Sequence, residues 1–131
     1  MTSARKFCRA HRVTSRQDYQ RVFASARRES GRYWTLLWCA NDENSARLGL
    51  AIAKRYAHRA VLRNRLKRLS RETFRHIRDA LAPVDVIVMV KPATAHASPA
   101  ELREALEQHW RRLVKRTAAS DAATNRKREQ P

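Results

Sequence analysis

The sequence predicts a mixed α/β domain in which helices pack outside a small sheet. Three observations carry that prediction. Val84–Val90, VDVIVMV, is short and almost continuously apolar, as a strand covered on both faces is. Residues 58–81 repeat apolar side chains at three- and four-residue steps, as an amphipathic helix does. Two further strand-like segments precede that helix, so the order reads helix, two strands, long helix, strand, helix.

Each element has its own local cause. T-x-x-Q over Thr14–Gln17 resembles a capping box, and Tyr19, Val22, Phe23 and Ala26 follow at helical spacing. Gly31 ends that region. Tyr33–Cys39, YWTLLWC, is aromatic and apolar and suits a strand. ANDENSA is a polar turn. In Arg47–Ala53, Leu48, Leu50 and Ile52 face one way and Gly49, Ala51 and Ala53 the other, leaving one flat, closely approachable face. The long helix buries a stripe of Leu62, Leu66, Leu69, Thr73, Ile77 and Ala80/Leu81, and Pro83 closes it. Asp85, early in the apolar strand, needs water or a partner. Lys91-Pro92 ends that strand. The last helix starts with Ser98 as N-cap, Pro99 as first helical residue and Glu101 as capping acid. Leu102, Ala105, Leu106, His109, Trp110 and Leu113 supply its buried face. Residues 1–12 and 117–131 read as basic, flexible tails around a single domain over 13–116.

The chain has 131 residues, the length of one domain, and a net charge of +17 from 29 Lys+Arg against 12 Asp+Glu. Arg supplies 23 of those cations, and Arg forks onto phosphate oxygens and stacks on bases. The balance points to a polyanionic partner and away from a small-molecule substrate. No apolar run approaches the roughly 20 residues of a membrane-spanning helix, and the N-terminus lacks a signal-peptide core. Cys8 and Cys39 are too few for a disulfide scaffold, which favours a cytoplasmic location.

Catalysis by the protein itself has little support. The acids are scattered, and Asp42 and Glu43 fall in a turn. Glu72 and His76 lie four apart on the long helix and read better as a surface contact than as an acid–base pair. Cys8-x-x-His11 is half a zinc site without a second half. Only two glycines are present, and no phosphate-cradling loop is. No metal ligands are expected in the protein.

The chemistry lies in Lys54–Arg78, with ten basic residues and one acid, Glu72. At about 100° per residue, Asn64, Lys67, Arg68, Arg71, Arg75 and Arg78 fall opposite the apolar stripe. Arg59, Arg63 and Arg65 add charge near the helix start. Lys67–Arg71 and Arg71–Arg75 are like-charge i,i+4 pairs, each unfavourable by a few tenths of a kcal/mol. Solvated helix faces usually mix signs; this one does not, so phosphates are expected to complete it.

Ala60–Arg75, A-V-x-R-N-R-x-K-R-x-x-R-E-x-F-R, resembles the signature of the bacterial ribonuclease P protein subunit. Gly49–Arg55, Asp18–Phe23 (D-Y-x-x-V-F), Val86–Pro92 and Leu106–Arg112 resemble further family segments, the last in proteobacterial style, so the likeness spans about residues 12–116. The resemblance implies an α+β fold, an α/β sandwich of helix–strand–strand–strand–helix–strand–helix order. It implies a fourth strand and a left-handed crossover, against the usual hand. It also implies tRNA processing: hydrolytic, endonucleolytic removal of the 5′ leader from precursor tRNA, with Mg2+ held mainly by a catalytic RNA.

Two surfaces follow from the resemblance. Arg59, Arg63, Asn64, Arg65, Lys67, Arg68, Arg71 and Arg75 would dock on the catalytic ribonuclease P RNA. Tyr19, Phe23, Lys54, Arg55 and Lys91 would line a cleft for the single-stranded leader, with rings stacking on bases and cations tracking the backbone. From the residues alone, Phe23 fits core or cleft equally, and the polar tip of Tyr19 favours exposure. Trp34 and Trp38 fit the core better than the cleft. The rival reading is a structural RNA-binding protein of ribosomal type, without a catalytic role. A DNA-binding helix is disfavoured, since the motif directly follows a strand.

Overall fold

The structure is a computed structural model that describes residues 12–13, 15–25, 27–41 and 43–129, with the side chains of 25 and 119–129 left undescribed. The elements are α1 (Arg16–Ser25), β1 (Arg27–Ser30), β2 (Trp34–Ala40), β3 (Arg47–Ala51), α2 (Ala60–Ile77), β4 (Val84–Val90) and α3 (Pro99–Glu129), with 3-10 turns at Arg78–Ala80 and Pro92–His96. The four strands form one mixed sheet in the order β1-β2-β4-β3. β1 and β4 each run antiparallel to β2, whereas β3 is parallel to β4 and joined to it through α2.

β4 is central and covered on both faces, which accounts for its unbroken apolar run. Val84, Val86, Val88 and Val90 point to the side of α2 and α3. There they join Trp34, Leu36, Trp38, Leu48, Leu66, Phe74, Leu106 and Trp110 in the larger core. Ile87 points the other way and meets Leu37 and Val22 under α1. The alternation in β3 holds, with Leu48, Leu50 and Ile52 on the larger core and Ala51 on the smaller.

β1 is the strand that no apolar pattern announces. Its RRES sequence is mostly exposed, because an edge strand paired on one side needs no buried face. α3 ties it down. Arg112 and Arg116 donate to Glu29 at 3.3 and 3.0 Å, and Arg116 also donates to the Arg28 carbonyl. His109 Nδ1–H donates to the same carboxylate at 3.2 Å. Burial pushes the His109 imidazole below its usual 6.5, against the pull of Glu29. Burial raises the Glu29 carboxyl, but hydrogen bonds from His109, Arg112 and Arg116 outweigh it and hold the group below its ordinary value.

Both glycines are sites of close approach. A Cβ at Gly31 would lie 2.7 Å from His109 Nε2, and one at Gly49 would lie 2.9 Å from the Tyr19 hydroxyl.

The start of α3 matches its capping box. The Glu101 N–H donates to Ser98 Oγ at 3.1 Å, and the Ser98 N–H reaches back to Glu101. The helix continues to Glu129 with Thr117 buried, so the domain edge expected at residue 116 falls inside it. At α1, Ser15 Oγ accepts from the Asp18 N–H at 3.0 Å, one residue after the expected cap; Thr14 lies outside the described residues.

Candidate nucleic-acid interface

α2 presents opposite faces to the core and to solvent. Leu66, Leu69, Ser70, Thr73 and Phe74 are buried. The Trp110 indole N–H donates to Thr73 Oγ1 at 2.9 Å, and the Phe74 and Trp110 rings meet at 5.5 Å between centroids. This packing fixes the helix, and with it the direction of everything on its outer face.

That outer face carries a groove of about 470 Å³ lined by Asn64, Lys67, Arg68, Arg71 and Arg75, together with Glu72 and Arg12. The expected ridge therefore exists as one surface. Glu72 is its acid, and Arg103 of α3 pairs with that carboxylate at 3.5 Å. Arg12, assigned from the sequence to a tail, forms a parallel bridge with Leu48 and lines the groove. No pattern on α2 could have supplied that residue.

Arg78 requires a correction. The 100° wheel puts it on the ridge, but it is only 4% exposed. The α-helix ends at Ile77 and tightens into a 3-10 turn, so the wheel no longer applies one residue later. Arg63 also points away from the groove. Its Nη1 donates to the Ala57 and His58 carbonyls at 2.9 and 2.8 Å, which braces the loop entering α2. Arg59 and Arg65 are exposed on another flank, beside a second hollow near the helix start.

The opposite sheet face carries the second set. α1 crosses it, with Val22 fully buried on Leu37 and Ile87. Tyr19 is half-buried. Its hydroxyl accepts from the Leu50 N–H at 3.0 Å and lies 3.4 Å from the Leu50 carbonyl, so it caps the outer edge of β3. Phe23, one turn on, is 49% exposed and belongs to the surface. Lys54 and Arg55 are exposed in the turn after β3, and Lys91 directly follows β4. Because Ala51 pairs with Met89 in the parallel register, all three cations gather at the same end of the sheet. Trp34 and Trp38 lie in the larger core and not in the cleft.

α1 is held to this face by a buried carboxylate. Arg47 grips Asp85 with two bonds of 2.8 and 2.7 Å, Asn41 donates to it at 2.8 Å, and Arg21 of α1 completes the set. Asp85 thus has the partner its position demands. Hydrogen bonding to Asp85 outweighs desolvation and holds the Arg47 guanidinium more firmly protonated than usual. Arg21 also donates to Cys39 Sγ at 3.2 Å. The sequence signalled Asp85 as a group in need of partners; Arg21 and Asn41 come from remote segments and could not be read.

Among the described residues no cluster of three His, Cys, Asp or Glu is placed to hold a metal ion, and no helix is long and apolar enough to cross a membrane. Cys8 and His11 lie outside the described residues.

The family model for ribonuclease P matches residues 7–114. The chain is 52% identical over 107 residues to a ribonuclease P protein component from Thioalkalivibrio sulfidiphilus, covering 82% of this chain and 89% of the relative. It is 38% identical to the one from Methylococcus capsulatus, covering 88% and 91% of the two chains. The fold is similar to that of the Staphylococcus aureus RNase P protein, with a TM-score of 0.73, 26% identity, and coverage of 79% of this chain and 94% of that one.

Proposed function

This chain belongs to the bacterial ribonuclease P protein family, and from that premise we propose where its RNAs sit. Its role is that of protein subunit in a ribonucleoprotein enzyme of tRNA processing, with an RNA as partner. The same matches do not favour the ribosomal-type alternative.

In our reading, the groove on α2 docks on the catalytic RNA. Asn64, Lys67, Arg68, Arg71 and Arg75 make the contact, Arg12 extends it, and Arg59 and Arg65 flank it. Arg63 acts indirectly, by shaping the loop. The single observation that carries this reading is the groove itself: six of its seven lining residues are cationic or amide side chains, five of them on the rigidly packed α2 and the sixth Arg12. Such a surface gains affinity by releasing counterions from a polyanion.

The 5′ leader of precursor tRNA would lie across the face that α1 only partly covers. Phe23 offers a ring to an unpaired base, Tyr19 sets the cleft wall, and Lys54, Arg55 and Lys91 meet the phosphates at the open end. We assign Mg2+ to the RNA, whose phosphates supply hard oxygen ligands. The protein's acids near these surfaces are engaged elsewhere: Asp85 with Arg47, Glu72 with Arg103 and Glu29 with α3. The protein alone is then not catalytic, and its place is the cytoplasm, where tRNA precursors are made.

The test is a salt titration of binding to a bacterial ribonuclease P RNA. Replacing Arg68 and Arg71 together with Ala should weaken binding and reduce the slope of log K against log salt by about one unit per lost phosphate contact. Unchanged affinity and slope would leave the groove a merely solvated surface. Release of the leader by the RNA at low Mg2+, stimulated by wild type but not by the variant, would complete the case.

A further inference from the structure

Two large hydrophobic side chains are exposed among the described residues. Phe23 has a place in the cleft; Val61, at 70% exposure, has none. Val61 stands in the first turn of α2 and lines a hollow of about 480 Å³, separate from the basic groove. Tyr56, Leu62 and Ala95 are its other apolar lining residues, and His58, Arg59 and Arg65 line it as well. Arg55 stacks over the Tyr56 ring at 4.6 Å, which adds a third cation at the edge. Among the described residues no acid lines this hollow.

A lone exposed valine would be ordinary, but Val61 shares its hollow with Tyr56, Leu62 and Ala95, so the apolar surface among these cations is contiguous. A protein partner would want more apolar area than one valine and parts of three neighbours. A flat apolar wall ringed by cations suits a single unpaired base, whose face packs on the wall while its flanking phosphates meet the guanidinium groups. The volume is within the roughly 300–1,000 Å³ of ligand sites.

We propose that this hollow receives one unpaired nucleobase of the partner RNA, with Val61, Leu62 and Tyr56 as its walls and Arg59 and Arg65 on the adjoining phosphates. The inference rests on the reading that α2 faces the RNA, and it adds a contact that reads base exposure rather than charge. A duplex that kept all its bases stacked could occupy the groove but not the hollow.

The experiment compares Val61→Ala with wild type in the full chain, binding a bacterial ribonuclease P RNA across a salt series. Ala favours the helix more than Val, and the position is exposed, so the fold is not at risk. Val61→Ala should weaken binding about fivefold at every salt concentration, with the slope unchanged, because an apolar contact to a base releases no counterion. Val61→Thr, which keeps the shape but not the apolar surface, should fall between. Dimethyl sulfate probing of the RNA should show an unpaired base protected by wild type and exposed with Val61→Ala.

Wild-type affinity for Val61→Ala would overturn the proposal, and so would a reduced salt slope or a footprint confined to paired bases. The Arg68/Arg71 variant, titrated in parallel, separates the two readings. If it loses slope while Val61→Ala binds as wild type, the groove stands and the hollow falls. If neither changes, the docking surface itself is misplaced.

Discussion

The two faces of the sheet are built in different ways. On the α2–α3 side, Trp34, Leu66, Phe74, Leu106 and Trp110 are fully buried and interlock with the valines of β4. On the α1 side, the buried apolar cluster among the described residues is small, Val22, Leu37 and Ile87, with Val13 buried beside Gly49 and α1 held additionally by Arg21 and Arg47 on Asp85. Burying a large aliphatic or aromatic side chain stabilises by roughly 1.5–3 kcal/mol, so the first face supplies most of the fold's stability. The second face is thin, and a thin face can leave sheet surface uncovered for a ligand. One side makes a rigid mount for the basic groove; the other leaves the sheet surface on which we propose that the leader lies.

That contrast can be broken most directly at Trp110. Trp110→Ala removes the ring beneath Phe74 and the bond to Thr73, and should cost about 3–5 kcal/mol, read as a large drop in the urea midpoint. The loss should hardly change between low and high sodium chloride. A small cost would mean that the core face does not dominate.

Asp85→Asn probes the thin face. It keeps the shape but removes the buried charge that Arg21 and Arg47 share, leaving them the more exposed and more distant Asp18 and Glu43, at a cost of about 3 kcal/mol. Part of that loss should return in high salt, which screens the two cations. A salt-independent loss would show that Asp85 acts through shape and hydrogen bonding rather than charge.

Phe23→Ala should have the smallest effect on stability, within about 0.5 kcal/mol, because the ring is largely exposed. It should nevertheless weaken binding of leader-bearing precursor tRNA to the assembled enzyme severalfold while leaving mature tRNA unaffected. Equal losses for both substrates would remove Phe23 from the cleft.

The thick face was far more legible in the sequence than the thin one. β4, the α2 stripe and the α3 cap are local patterns, and local patterns survive in one dimension. The basic groove was legible for the same reason, since its residues repeat along one helix. β1 was not, because an exposed edge strand carries no alternation. Arg78 was misplaced because a wheel assumes a constant turn. Tyr19 capping Leu50, Arg12 beside α2 and the partners of Asp85 all join segments far apart in the chain, and no local spacing encodes them.

The two glycines have a consequence for how this sequence can drift. Neither takes the left-handed backbone conformation, so neither is kept for flexibility. Each is a socket for a ring from another segment: Gly31 for His109 and Gly49 for Tyr19. A methyl group at either position collides with its ring, so the substitutions are coupled in pairs. Residue 49 can grow only if residue 19 shrinks or swings away, which would uncover the edge of β3, and Val13 also gives a little. Residue 31 can grow only if residue 109 gives up its place beside Glu29. Positions 30 and 78 residues apart in the chain are therefore constrained as if they were neighbours.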